Sequence, residues 1–427
     1  MRKYMIINKI GATAMMMLLL VSCRQEPLSQ RMVKSEMQRC PTAADLDGMA
    51  GKLKWNYTPG LEMLSFLDAA DSFVADAPRN DRVSRRQRDT TCHSEPAEQV
   101  KESKSSALQY VDAWYDAIIR EDGNIGANYK RSNYNVDHIC PGRTLFKLYD
   151  LTGKQKYRAA LDSIYMQVKT QPRTEAGVFW HKKIYPYQVW LDGFYMAQPF
   201  YAQYSARYLD QEAAEANFSD IAKQFAVAYD KCMDPATGLL RHAWDESRSM
   251  FWANPETGQS DHAWGRAMGW YMMALVDVLD WVPEHHPAGT ELKNILCTLL
   301  DHLQEYDDPA TGMWYQVLDS PGREGNYIES TCSAMFTYVY LKAAVKGYAP
   351  EYGRYARRLY RKLVKTFIRE EADGTITLTE CCAVAGLGGK ENRSGDYDYY
   401  IHEKKCENDP KGVGPFIWAS LLYENRI

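Results

Sequence analysis

Apolar residues recur every three to four positions along almost the whole chain from Ser29 onward. This period predicts twelve helices, near 29–39, 60–75, 107–120, 139–150, 155–169, 193–208, 211–231, 262–282, 288–306, 328–346, 351–369 and 412–424. Strand patterns are short and fall in the loops, at 177–180 and 375–378. The loops repeat. Asp234-Pro-Ala-Thr-Gly238, followed by Asp245, recurs as Asp308-Pro-Ala-Thr-Gly312, followed by Asp319, with weaker copies at Asp122-Gly123, Ala176-Gly177 and Asp373-Gly374. Successive copies lie 54 to 74 residues apart, room for two helices, a short turn and a longer loop. Six such hairpins predict an all-α fold that closes on itself, an (α/α)6 barrel with six inner and six outer helices. The first helix would be the outer partner of the last.

The pattern fails in two places. Residues 1–9 are basic (Arg2, Lys3, Lys9), and 10–21 are apolar but too few to span a membrane. That run ends in Leu20-Val21-Ser22-Cys23, which resembles a bacterial lipobox. The reading is a lipoprotein signal peptide over 1–22, acylation at Cys23, a linker over 23–28 and one domain over 29–427. An ordinary secretory signal with a chance cysteine is the alternative. Arg24-Gln-Glu-Pro27 lacks an acidic run, which favours a periplasmic over an exterior face. The second break is 76–106, charged and nearly free of large apolar side chains, expected to be a disordered insertion away from the functional face. The nine remaining cysteines are scattered and make neither a disulfide framework nor a zinc site. The net charge of −4 argues against a nucleic-acid partner.

Turns from inner to outer helices are short. The loops back are long, and each brings polar or aromatic residues to the start of an inner helix: Trp55-Asn56-Tyr57, Asp137-His138, Trp190-Leu191-Asp192, 261–270, Tyr327-Ile328-Glu329 and 408–412. Six helix N-termini would converge on one mouth and favour an anionic ligand. The richest approach is 181–201, HKKIYPYQVWLDGFYMAQPFY. Asp192 stands where its loop becomes a helix. An Asp there can be an ordinary cap. Trp190 and Tyr187 beside it, with His181, Lys182 and Lys183 in the loop, point instead to a sugar site. A carboxyl against Trp in a partly dry pocket has its pKa raised and can act as a general acid. Asp137 holds the same place one repeat earlier. The two are expected to face each other, so that one retains a proton near neutral pH.

Arg266 offers a fork for a carboxylate, or an ion pair with a neighbouring acid. Trp264 and Trp270 offer stacking faces, and His242 lies in a repeat loop over the mouth. Metal-ligand spacing is absent from the sequence. The Gly-rich 386–389 stretch lacks the strand–helix frame of a nucleotide loop.

Six blocks in order carry a resemblance: WNYTPGLEM, YNVDHICPG, FWHKKIYPYQVWLDGFYMAQPFYAQY, HAWGRAMGWYMMALVDVL, AVAGLGG and ENDPKGVGPF. Together they resemble glycoside hydrolase family 105, the unsaturated rhamnogalacturonyl hydrolases, related to the unsaturated glucuronyl hydrolases of family 88. The resemblance runs from about residue 29 to the end, apart from 76–106. It implies an (α/α)6 barrel, no cofactor and no metal. It also implies hydration of the 4,5 double bond that polysaccharide lyases leave on a non-reducing-end uronic acid. Asp192 would protonate C4 and help water add at C5, and the hemiketal would collapse to an open-chain keto-uronate and rhamnose or another sugar. Asp137 matches the second essential carboxylate. His181, Lys182, His242, Trp264, Arg266 and Trp270 match positions that line the substrate site, and Trp190 and Tyr57 are expected beside them. Three other readings stay open: an unsaturated glucuronyl substrate, a conventional inverting glycosidase, and a non-catalytic glycan-binding lipoprotein.

The lipobox reading predicts that Cys23→Ala moves the protein from the membrane fraction to the soluble fraction. Unchanged fractionation would contradict it.

Overall fold

The computed structural model describes residues 26–48, 50–72 and 95–425. The lipobox with Cys23, and residues 76–94 of the charged stretch, lie outside them. The described chain runs through α1 (Leu28–Arg39), α2 (Tyr57–Ser72), α3 (Glu95–Ile118), α4 (Gly142–Thr152), α5 (Gln155–Thr170), α6 (Asp192–Tyr208), α7 (Gln211–Cys232), α8 (Gly265–Val278), α9 (Pro287–Leu303), α10 (Ser330–Val345), α11 (Gly353–Phe367), α12 (Tyr397–His402) and α13 (Pro410–Tyr423). Helices α2, α4, α6, α8, α10 and α13 form an inner ring. Each packs on the next, and α13 closes the ring against α2. Helices α3, α5, α7, α9 and α11 each pack outside the inner helix before them, and α1 packs on α13. This is the (α/α)6 toroid, with the first helix paired to the last.

Residue choice explains the two layers. Every residue of α8 is buried, as are all but one of α13. A helix that is apolar all round must be covered all round, which is the condition inside the ring. Helix α11 buries only Ala356, Leu359, Tyr360, Leu363 and Phe367, one stripe at helical spacing, and turns its Arg and Lys residues outward. The inner helices approach closely where side chains are missing. A Cβ on Gly265 would stand 2.9 Å from Cys332 Sγ, and one on Gly269 2.7 Å from Met335 Sδ, both on α10.

The repeated loop motif builds turns. Isolated bridges Ile119–Ile125, Arg173–Phe179, Met233–Leu240 and Asp307–Trp314 close a small hairpin after four outer helices. After α11 the hairpin is a two-stranded pair, β3 (Ile368–Glu370) with β4 (Ile376–Leu378). Asp234 accepts from the Ala236 N–H and the Thr237 hydroxyl, and Asp308 from the Thr311 N–H and hydroxyl. Gly238 and Gly312 follow at φ +69° and +67°, where a Cβ would be strained. The repeat therefore carries turn chemistry and no catalytic group.

Two differences from the sequence reading stand out. Helix α3 starts at Glu95, so the last part of the expected insertion, 95–106, is helical. That segment has no apolar period, but Glu, Gln, Lys and Ala are strong helix formers, and propensity extends a helix that burial alone would start later. Helix α12 is six residues long and too short to show a period. It is fixed by Asp396, whose carboxylate accepts from the Tyr399 N–H.

Inside the ring, the buried Asp277 of α8 ties three inner helices. Its carboxylate accepts from Arg143 of α4 at 2.7 Å, and from Lys342 and the Tyr338 hydroxyl of α10 at 2.7 and 2.6 Å. Asp277→Ala would leave Arg143 without its counter-charge and Lys342 with Asp280 as its remaining partner. We expect a loss of about 3–5 kcal/mol of unfolding free energy in denaturant titration; a loss under about 1 kcal/mol would contradict this role.

Candidate active site

Backbone hydrogen bonds stitch the mouth loops to one another. Val136 N–H donates to the His181 carbonyl, His181 N–H to Gln188, Leu191 N–H to His242, and His242 N–H to His262. Strand β1 (Gln188–Trp190) pairs antiparallel with β2 (Ala243–Asp245), setting Trp190 opposite Ala243. These contacts bring residues 137, 181, 192 and 242, far apart in sequence, to one place.

Asp192 is the first residue of α6. Among the described residues its carboxylate accepts no backbone N–H, so it does not take up the capping role. Its Oδ2 faces His242 Nε2 at 3.2 Å, without the alignment of a formed hydrogen bond. His242 is fully buried, with Nδ1 2.7 Å from the Tyr400 hydroxyl. Trp264 lies 4.8 Å from its ring and Trp190 meets it edge-on at 5.6 Å.

Asp137 sits in the 3-10 turn Val136–His138, where its N–H donates to the Asn135 side chain. Its Oδ2 accepts from Lys182 Nζ at 2.8 Å, and its Oδ1 lies 3.5 Å from His181 Nε2. Burial alone would raise this carboxyl, but Lys182, with His181, outweighs burial and holds it at about 2. Burial drives His181 the other way, down to about 4, against the pull of Asp137. At neutral pH the contact is thus a neutral imidazole beside a carboxylate. Of the two acids expected to face each other, Asp137 is the one held ionised. Lys182 takes the charge of Asp137, and His181 is wedged beside both acids. A Cβ on Gly193, next to Asp192, would stand 3.0 Å from His181 Nδ1 and 3.4 Å from Val136 Cγ2. Glycine at 193 is what admits the imidazole.

Trp190 is stacked between His181 at 4.7 Å and Tyr185 at 5.3 Å. Tyr187, expected beside the carboxylate, instead packs on Trp180 and stays exposed. Tyr57 is half-buried at the start of α2. Burial, then the charge of Asp137, pushes its phenol well above the ordinary range while Arg266 opposes, so it remains an O–H donor.

Three expected substrate contacts lie behind the surface. Arg266 is 1% exposed, with its fork on the Cys382 carbonyl and Glu329 3.7 Å away. Trp264 and Trp270 are equally buried. Trp264 donates its indole N–H to Gln316, and Trp270 meets Tyr57 edge-on at 6.2 Å. The reason is position: these residues lie on or beside α8, the inner helix covered on every side. Of the two readings of Arg266, the ion pair is the one the structure contains.

Arg393 was not singled out from the sequence. Its Nε donates to the Gly388 carbonyl at 3.2 Å, and its charge acts on Lys182. Cβ atoms on Gly386 and Gly389 would stand 2.6 and 3.2 Å from its two terminal nitrogens. The Gly-rich stretch is thus a cradle for a guanidinium that has no carboxylate at ion-pair distance among the described residues. The signal was present in the glycines, but only folding brings Arg393 back over them.

The pKa of His181 has a consequence for stability. A His held near 4 when folded and at 6.5 when unfolded makes the unfolded state the better proton binder between those values, so stability falls as pH drops from 6.5 to 4. The shift corresponds to roughly 3 kcal/mol. His181→Gln is expected to flatten the pH dependence of unfolding in that window; an unchanged slope would show that His181 is not buried as a neutral ring.

Three kinds of likeness identify the family. The model of Glycosyl Hydrolase Family 88 matches residues 94–427. A solved glycoside hydrolase from family 105 of C. acetobutylicum ATCC 824 is 39% identical and superposes with a TM-score of 0.82, over 94% of this chain and all of the other. The 24.9 kDa protein in the picA locus of Rhizobium radiobacter is 38% identical over 231 residues, 52% of this chain and 96% of that protein. An unsaturated glucuronyl hydrolase from Bacillus sp. GL1 shares the fold at a TM-score of 0.60 over 92% of this chain and 94% of its own, with 10% identity. With its toroid and a match over most of its length, the chain belongs to the glycoside hydrolases of family 105, within the family 88 group.

Proposed function

We propose that this glycoside hydrolase is an unsaturated rhamnogalacturonyl hydrolase. It would hydrate the 4,5 double bond of an unsaturated uronic acid at the non-reducing end of lyase-generated pectin oligosaccharides. The observation that carries the reading is the asymmetry of the two acids. Lys182 holds Asp137 ionised, whereas the one charged or titratable partner at ion-pair distance from Asp192 among the described residues is a histidine. General acid–base chemistry wants such a division of roles.

In this mechanism Asp192 delivers a proton to C4. Positive charge develops at C5 and is shared with the ring oxygen, and the fixed negative charge of Asp137 stabilises it. Water adds at C5 and returns a proton to Asp192. The hemiketal then opens, and the sugar attached at C1 leaves. Because the anomeric carbon is not attacked, carboxylate separation carries no stereochemical meaning here. The substrate is an anion, which fits a mouth bearing Lys182, the unpaired Arg393 and converging helix N-termini. We also propose a lipid anchor at Cys23 and a periplasmic location, matching short oligosaccharides delivered by a lyase.

Asp192→Asn should fold like the parent and lose at least about 10²-fold in kcat on an unsaturated galacturonyl-rhamnose disaccharide. A variant of near-parental activity would overturn the assignment. Arg393→Ala should raise KM more than it lowers kcat; a pure kcat effect would remove Arg393 from substrate binding. Faster turnover of unsaturated glucuronyl disaccharides by the parent would move the substrate to that class and leave the chemistry standing.

A further inference from the structure

Tyr400 lies in α12, the helix that the apolar period does not reveal, and no step above uses it. Its side chain is fully buried. Its hydroxyl stands 2.7 Å from His242 Nδ1, and His242 is its one hydrogen-bond partner among the described residues. Burial pushes the phenol well above its ordinary range, so the hydroxyl keeps its proton. The acceptor within reach of that proton is Nδ1. A ring nitrogen that accepts carries no hydrogen, so the imidazole proton must reside on Nε2. Nε2 is the atom that faces Asp192 Oδ2 at 3.2 Å.

We infer that Tyr400 is a positioning residue that locks His242 in its Nε2–H form, and that this N–H is presented to Asp192 Oδ2 so that the reacting proton is carried on Oδ1. The inference rests on the reading of Asp192 as proton donor. The surroundings support a fixed rather than a rotating ring. Trp264 and Trp190 close on the imidazole, and the His242 main chain is held at both ends by Leu191 and His262. Tyr400 is held in turn: its carbonyl accepts from Gln316 at 3.3 Å and its ring stacks on Trp264 at 5.9 Å.

The proton balance is simple. The Oδ1–H bond breaks as the electron pair of the C4=C5 bond forms the new C4–H bond. The charge left at C5 and the ring oxygen is quenched by water, whose released proton returns to Oδ1. His242 neither gains nor loses a proton in the cycle. In the other tautomer, a bare Nε2 would draw the acid proton onto Oδ2, away from the substrate. The Tyr400 hydroxyl removes that alternative.

The test uses the full chain labelled with 15N at histidine. The His242 signals are assigned by their disappearance in His242→Asn. In the parent protein we expect a protonated Nε2 and an accepting Nδ1. In Tyr400→Phe, which keeps the ring that stacks on Trp264, we expect the His242 signals to move toward a mixture of tautomers. Its kcat should fall about ten- to a hundredfold, with KM within about twofold of the parent value. A parent spectrum with the proton on Nδ1 would overturn the proposal without needing any Tyr400 variant. So would a Tyr400→Phe protein whose His242 spectrum and kcat match the parent's. If the parent turns over no unsaturated uronyl substrate, the proton-donor reading fails by itself, and the spectra still decide the tautomer.

Discussion

The structure depends on ring closure. Inner helices α8 and α13 bury nearly every residue, and such helices are stable only when covered on every side. Closure of α13 between α10 and α2, with α1 laid outside it, supplies the last of that cover. Once the ring is closed, all six inner helices point their N-termini the same way. The loops that precede them must then meet at one mouth, and the site is a by-product of the packing. The two acids of the site are close in space because their helices are successive members of the ring, and because Leu191 and Val136 fix the loops by backbone hydrogen bonds.

Within the mouth, electrostatics separates two aspartates that look alike in sequence. Asp137 has a half-buried lysine at 2.8 Å and is held below the usual carboxylate range. Asp192 has no cation at ion-pair distance among the described residues other than His242, which becomes one only if protonated. Between them His181 is kept neutral by burial, stacked on Trp190 and seated against Gly193. Each acid has a different neighbour, and on the proposed mechanism a different role.

Much of this was legible in the sequence. The helical period and the repeated Asp-Pro-Ala-Thr-Gly turns specified the helices and their pairing, because both are local signals with fixed spacing. Asp137, His181, Lys182, Asp192 and His242 were found because unusual polar residues at inner-helix starts are visible without coordinates. What was not legible depended on long-range contact. Arg266 reads as an open fork, yet it is consumed by Glu329 and the Cys382 carbonyl, 63 and 116 residues downstream. Arg393 and Tyr400 carry no local pattern, and they matter only because the 383–405 loop folds back over the mouth. Which acid is held ionised was hidden for the same reason: Lys182, which pairs with Asp137, lies 45 residues downstream of it.

On the proposed mechanism the enzyme adds water across a double bond and leaves the anomeric carbon unattacked. The most direct measurement follows near-ultraviolet absorbance and sugar release together, as purified protein acts on an unsaturated galacturonyl-rhamnose disaccharide. The account predicts that each rhamnose released is matched by loss of one enol-ether chromophore. Release of rhamnose with the chromophore retained would mean attack at the anomeric carbon, and would contradict it.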